Sequence, residues 1–318
     1  MITLAELQAA ADLVHGIMPP TPQIAWPLLN ERCDAEVWVK HENHTPIGAF
    51  KLRGGLLYLS ELKRSRPEIG GVITATRGNH GQSIALAARR VGLAATVVVP
   101  HGNSREKNAA MRAFGADLVE HGDDFQAAAE HADTLAAERR LHFVRSFDWR
   151  LVRGVASYAL ELLSFVADLD TVYVPIGMGS GICGMMAARD ALGLKTKIVG
   201  VVAAAAPAYA LSFAARQPVA TNRADTMADG LACRSPDGEA VAAMVAGVER
   251  VVTVTEQEIR AAMRHLYTDT HNLAEGAGAA TLAALLQERG RMAGKRVAIV
   301  LSGGNIDREL YREVLAEA

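Results

Sequence analysis

Val172, Tyr173, Val174, Pro175 and Ile176 run straight into Gly177, Met178, Gly179, Ser180 and Gly181, and the helical pattern Ile182 to Leu192 follows. Five mostly apolar residues bounded by glycine read as a strand buried on both faces, so the stretch is a strand-to-helix turn of an open, mainly parallel sheet. Side-chain-poor residues at such a turn let backbone N–H groups approach an anion at the helix N-terminus. Gly177 to Gly181 is therefore a candidate phosphate cradle. A glycine-rich loop alone also suits a plain tight connection, so its neighbours decide.

Three further segments share this grammar. Thr76, Arg77, Gly78, Asn79, His80, Gly81 and Gln82 follow the apolar run Gly71 to Ala75 and precede the helical pattern Ser83 to Val91. Ligands gather at turns of this kind in α/β sheets. The strand Val297 to Leu301 ends in Ser302, Gly303, Gly304 and Asn305. Lys51 lies in the run Gly48, Ala49, Phe50, Lys51, Leu52, Arg53, Gly54, Gly55. A lysine between an aromatic and glycines can serve as a nucleophile that forms a Schiff base, provided burial lowers its pKa. The plainer reading is a surface lysine at a helix start.

Taken in order, these segments resemble the fold type II pyridoxal-phosphate enzymes, and within them the branch of threonine dehydratases and serine racemases. The likeness covers nearly the whole chain, from Lys40 to Asn43 through Phe147, Asp148 and Glu275 to Ala279 to the Ser302 turn. It implies two open, mainly parallel three-layer αβα domains, tryptophan synthase β-like: a large cofactor domain of residues 1–66 and 145–318, and a small inserted domain of residues 71–144.

Strand and helix patterns alternate along the chain, as an α/β protein requires. Candidate strands are Glu36 to Lys40, Gly71 to Ala75, Ala95 to Val99, Asp117 to Glu120, His142 to Val144, Thr171 to Pro175, Lys197 to Val202, Arg250 to Val254 and Val297 to Leu301. Helical patterns include Ser104 to Phe114, Phe125 to Glu138, Glu256 to Tyr267 and Gly278 to Arg289.

The composition fits a soluble enzyme acting on a small molecule. Half of the 318 residues are hydrophobic, and the formal net charge of -2 offers no electrostatic reason to expect nucleic acid or membrane as a partner. Cys33, Cys183 and Cys233 are too few and too scattered for a disulfide framework or a zinc site, which points to a reducing cytoplasm. Residues 1–16 lack the apolar core of a signal peptide. The chain leaves little room after its last motif for the regulatory domain of some biosynthetic threonine dehydratases. The resemblance also implies a homodimer.

Roles follow from the resemblance position by position. Lys51 would carry pyridoxal 5'-phosphate as a Schiff base and, once freed, remove the Cα proton of the substrate. Phe50 and Asn79 would contact the cofactor ring and its hydroxyl, Gly177, Met178, Gly179, Ser180 and Gly181 would bind the phosphate, and Glu275 would lie near the ring. Ser302 would face the pyridine nitrogen. A neutral hydroxyl there leaves the nitrogen largely unprotonated, a weaker electron sink that favours β-elimination over transamination. Met178 and Ser180 interrupt the four-glycine loop common in relatives, but a glycine-x-glycine backbone is retained and Ser180 adds a hydroxyl donor. As an N-terminal helix carboxylate Glu275 also has a purely structural reading.

Thr76, Arg77, Gly78, Asn79 and His80 are the expected substrate contacts. In relatives the Arg77 position is a small residue, and in serine racemases a serine there is the second acid/base. A guanidinium is a poor proton shuttle, so racemisation is disfavoured. Arg77 has three readings: stacking on the cofactor, clamping a substrate carboxylate, or turning outward. It resembles what is expected of phenylserine dehydratases. His80 reads as support for the turn and Cys183 as core. His41 and His44 lack a third ligand for a metal, while Asp225 and Asp229 lie in a segment similar to a cation site of some relatives.

The function implied is a dehydratase of a β-hydroxy-α-amino acid, with L-phenylserine to phenylpyruvate leading and threonine, serine or 3-hydroxyaspartate as alternatives. Cysteine-synthase-like β-replacement and a non-catalytic binder are the rivals from other classes. Side-chain selectivity is expected to involve Ser146 to Trp149 and Leu231 to Ser235, and an apolar lining there would favour the aromatic substrate.

Overall fold

A computed structural model describes residues 2–317. Its strands are β1 (Gln23–Ala25), β2 (Glu36–His41), β3 (Gly71–Ala75), β4 (Ala94–Val99), β5 (Ala116–Glu120), β6 (His142–Phe143), β7 (Thr171–Pro175), β8 (Lys197–Ala203), β9 (Arg250–Val254) and β10 (Arg296–Leu301). They form a six-stranded sheet ordered β1-β2-β10-β7-β8-β9 and a four-stranded sheet ordered β5-β4-β3-β6. Every pairing is parallel except that of β1 with β2.

Two-sided burial explains the near-continuous apolar runs. Along β10, Val297, Ile299 and Leu301 enter one core, while Ala298 and Val300 enter the core on the opposite face. Tyr173 and its neighbours Val172 and Val174 divide in the same way along β7. The six-stranded sheet is thus the middle layer of three. In the smaller sheet, Ile73, Ala75 and Val98 pack on Ala128, Ala132 and Leu135 of the helix Phe125–Arg139.

Strand order reverses once in each sheet. From β7 the chain steps outward to β8 and β9 and then returns to the other side of β7 as β10; from β3 it steps to β4 and β5 and returns beside β3 as β6. Such reversals leave a crevice at the carboxyl ends of the strands where ligands bind. The turns after β3, β7 and β10 carry Thr76, Gly177 and Ser302, and all three line one cleft.

The helix Lys51–Ser65 is fixed by a buried ionic cluster beneath it. Arg53, fully buried, donates to Glu42 at 2.7 Å and to Glu161 at 2.6 Å, and buried Lys40 donates to the other oxygen of Glu161. Two cations face two carboxylates, so no charge in the cluster is left unpaired. Among the described residues no helix is long and apolar enough to cross a membrane.

The structure shifts several expected boundaries. The helix after the Thr76 turn spans Asn79–Arg90, not from Ser83, and the helix after the glycine loop begins at Ser180, not Ile182. Polar residues and glycines in a first turn look like loop, yet that turn needs no apolar face. The β1 strand has no counterpart in the sequence reading; three residues at a sheet edge offer too little alternation to register.

Candidate active site

Lys51 opens its helix immediately after Phe50, and the loop before it is tied to the Ser302 turn. The Phe50 amide donates to the Ser302 carbonyl at 3.0 Å, Gly304 donates to the Gly48 carbonyl at 2.9 Å, and Ala49 bridges to Gly303. The ammonium of Lys51 donates to Ser180 Oγ at 3.0 Å and lies 5.1 Å from the Phe50 ring centroid. Burial pushes its pKa down to about 8 from an ordinary 10.5. An amine so placed is uncharged far more often than a surface lysine.

The glycine loop is built for close approach. Gly179 has φ +98, a left-handed conformation that favours glycine, and it starts the helix without a side-chain cap. A Cβ on Gly177 would lie 2.1 Å from the Gly230 carbonyl oxygen. Tyr209 donates to the Met178 carbonyl and Tyr158 to the Gly181 carbonyl, which pins the loop from behind and leaves its front to a ligand. Ser180, expected to donate to an anion, instead accepts from Lys51 here.

On the other wall, Thr76 Oγ1 accepts from the Gly78 amide at 2.9 Å and shapes the turn. Asn79 donates to Glu275 Oε1 at 2.7 Å and accepts from Asn305 at 2.8 Å, so both ends of its amide are fixed. Glu275 occupies the N-cap position of the helix Gly276–Gln287 but makes no cap hydrogen bond with its side chain. Its carboxyl is 5% exposed, burial pushes its pKa up, and Oε2 has no hydrogen-bond partner. His80 is buried with Nε2 unpartnered, and burial together with nearby Lys51 drops its pKa to about 3, so the imidazole is neutral.

Arg77 neither turns fully outward nor lies free. Its guanidinium is 3.7 Å from Asp229, while Nε is buried without a partner. Asp229 faces this arginine and Lys107, at 3.1 Å, so the segment similar to a cation site presents an ion-paired carboxylate; Asp225 is exposed. No cluster of three or more His, Cys, Asp or Glu able to hold a metal occurs among the described residues. His41 accepts from Trp26 and His44 pairs with Asn272.

All the candidate residues line a single cleft of about 900 Å³: Phe50, Lys51, Thr76 to His80, Gly177 to Gly181, Glu275 and Ser302. Of the expected selectivity segments only Ser146 and Leu231 to Cys233 join them, together with Phe125; Phe147 to Trp149, Arg234 and Ser235 do not line the cleft. Lys107, 6% exposed, also lines it and was absent from the sequence reading. In its run Arg105, Glu106, Lys107, Asn108 it looks like any solvated helix face. The residues present fit pyridoxal phosphate: a half-buried amine of lowered pKa, an uncapped glycine cradle, and a buried His80 Nε2 with no hydrogen-bond partner.

Comparison with known proteins agrees with this fit. The family model described as pyridoxal-phosphate dependent enzyme matches residues 15–303. The chain is 32% identical to the L-threonine ammonia-lyase of Thermotoga maritima over 99% of its own length and 78% of that protein. It is 30% identical to the L-threo-3-hydroxyaspartate ammonia-lyase of Saccharomyces cerevisiae, over 99% and 96%. It spans only 59% of the L-threonine dehydratase biosynthetic IlvA of Haemophilus influenzae, at 32% identity over 95% of the chain. The processed form of threonine deaminase isoform 2 from Solanum lycopersicum superposes with a TM-score of 0.92, at 30% identity, over 99% of this chain and 92% of that one. Likeness of this extent, over a cleft whose groups suit the cofactor, places the chain in the pyridoxal-phosphate-dependent enzyme family, as a fold type II member of the branch that holds the threonine dehydratases and serine racemases.

Proposed function

We propose that the enzyme is an ammonia-lyase that dehydrates a β-hydroxy-α-amino acid to a 2-oxo acid and ammonia, and that its substrate carries an aromatic β-substituent, L-phenylserine giving phenylpyruvate. The observation that carries the aromatic reading is the wall of the cleft formed by Phe125, Met178, Leu231 and Cys233, which is apolar. A phenyl ring buried there gains the transfer free energy of its apolar surface, whereas a hydroxyl or carboxylate would have to shed water for no partner. The nearby cations do not alter this: Asp229 already faces both Arg77 and Lys107.

Bound pyridoxal phosphate supplies an aldehyde for an amine and an electron-withdrawing ring that acidifies the substrate's Cα. Phe50, Asn79, the Gly177 to Gly181 loop, Glu275 and Ser302 would hold it. Lys51 is the base: with its pKa lowered by burial, the free amine takes the Cα proton. The electron pair left at Cα forms the double bond as the β-hydroxyl departs as water, taking the proton that Lys51 removed from Cα. The enamine released tautomerises, and water replaces its nitrogen to give the 2-oxo acid and ammonia. A guanidinium is a poor proton donor and acceptor, so an arginine rather than a serine at position 77 supports elimination over racemisation.

A second reading, 3-hydroxyaspartate, draws on the unpartnered Nε of Arg77 as a carboxylate donor and on the activity named for the yeast relative. Ammonia release from L-phenylserine, L-threonine, L-serine and L-threo-3-hydroxyaspartate separates the two. Higher kcat/KM for phenylserine supports the aromatic reading, preference for any of the others rejects it, and ammonia from none rejects the dehydratase.

A further inference from the structure

Lys107, which lies in the helix Arg105–Ala113 packed on the four-stranded sheet, reaches across the cleft with its ammonium. It lies 3.1 Å from Asp229 and 3.7 Å from Glu275 Oε2, and both carboxylates belong to segments packed on the larger sheet. The stem of the lysine is guided as well. A Cβ on Gly78 would lie 2.5 Å from Lys107 Cδ, so the glycine leaves the groove through which the stem runs. The helix start is latched to the C-terminal segment: Ser104 donates to Asp307, and the Arg308 amide donates to Glu106 at 2.9 Å.

A buried ammonium is expensive unless carboxylates surround it, and a buried carboxylate is expensive unless a cation does. Glu275 has one hydrogen bond, from Asn79 to Oε1; its second oxygen is buried, accepts none, and pairs with Lys107. The charged and polar groups facing Glu275 are Lys107, Asp229 and Asn79, and of these Lys107 is the cation. Asn79 is in turn clamped between Glu275 and Asn305.

We propose that Lys107 is a positioning residue for the elimination: its ammonium, anchored by Asp229, keeps Glu275 ionised and fixed as the acceptor that orients Asn79. Of the two titration shifts, that of Lys107 runs in the direction this requires, while the net shift of Glu275 runs against it, which is why the cation is needed. Burial pushes Glu275 up, with Lys107 the largest influence opposing it; Lys107 itself, which burial would lower, is raised because Glu275 and Asp229 surround it. The catalytic consequence rests on the reading of the cleft as the site of elimination, whereas the ionisation of Glu275 does not.

Infrared difference spectra of the holoenzyme test the ionisation directly. K107M should show a protonated-carboxyl C=O band that the parent lacks, and K107M/E275Q should lose it. K107R, which keeps a cation on a stem of similar reach, should show no such band and should recover most of kcat. In K107M kcat for the preferred β-hydroxy amino acid should fall about 10²-fold, the cost of a misplaced group in an active site, with KM little changed. No new band in K107M, a band that persists in the double variant, or a band in K107R would each overturn the proposal. If K107M fails to fold, the K107R spectrum still decides. If no substrate releases ammonia, the proposed reaction fails while the infrared result stands.

Discussion

Phe50 and Ser302 are joined backbone to backbone, the amide of the first donating to the carbonyl of the second at 3.0 Å. Groups from opposite ends of the chain are thereby held as one rigid edge of the cleft, with Lys51 set by its neighbour. Chemistry that needs a fixed distance between an amine and a ring depends on such coupling.

Reduction of the holoenzyme with borohydride, followed by peptide mapping, should find the pyridoxyl adduct on Lys51. K51A should lower ammonia release by roughly 10²- to 10⁴-fold, the range for a lost acid/base group. The apo protein adds a second check. Because burial lowers the lysine's pKa to about 8 from 10.5, its charge destabilises the fold below about pH 8, and that cost disappears as pH rises toward 10.5. K51M should therefore raise the melting temperature of the apo protein at pH 7, by a free energy no greater than about 3 kcal/mol, and confer little advantage above pH 10.5.

Arg77→Ala should alter the absorption of the bound cofactor and reduce kcat/KM by the equivalent of ~0.5–2 kcal/mol, the range for a stacked guanidinium. A spectrum and a turnover both identical to the parent's would remove Arg77 from the site.

Gly177→Ala places a methyl against the Gly230 carbonyl, where it would come to 2.1 Å. Overpacking of that kind costs roughly 1–3 kcal/mol, so the Kd for pyridoxal phosphate, measured by titrating the apo protein, should weaken about tenfold or more. An unchanged Kd would mean that the loop does not form the cradle.

Phe125→Ala should lower kcat/KM for L-phenylserine relative to L-threonine, by roughly 10- to 200-fold if the ring contacts the substrate. A ratio that stays constant would take the apolar wall out of substrate selection.

Glu161→Ala breaks the cluster under the Lys51 helix and should cost about 3–5 kcal/mol, because Arg53 and Lys40 are left buried with one carboxylate between them. Burial would raise the pKa of Glu161, but Arg53 and Lys40 outweigh it and hold it at about 2, below its ordinary 4.5. Its contribution to stability is present above pH 4.5 and is lost as pH falls toward 2, so the parent and the variant should converge in denaturant titrations there.

Strands such as β3, β7 and β9 were legible to the residue because their signals are local: apolar runs bounded by glycine and proline or polar residues. The same holds for the three turns at the cleft, whose glycines announce a backbone conformation. Lys107 and Arg53 were not legible as buried cations. Nothing in Arg105, Glu106, Lys107 or in Lys51, Leu52, Arg53 distinguishes a buried charge from a solvated one: Lys107 is paired with Asp229, 122 residues away, and Arg53 with Glu161, 108 residues away, as well as with Glu42 in a separate element. Asn79 looked like loop for a related reason: its helix begins on polar residues whose partners, Glu275 and Asn305, come from the far end of the chain.

Strand β10 sits between β2 and β7, so the middle of the larger sheet is filled by residues synthesised after those of the nine other described strands. A nascent chain, or a fragment cut short before residue 301, has a gap where the sheet should close, and the Ser302 edge to which Phe50 is tied does not yet exist. The edge of the cleft is thus completed only once β10 and its turn have been made, and products terminated before them carry Lys51 without the turn to which its loop is tied.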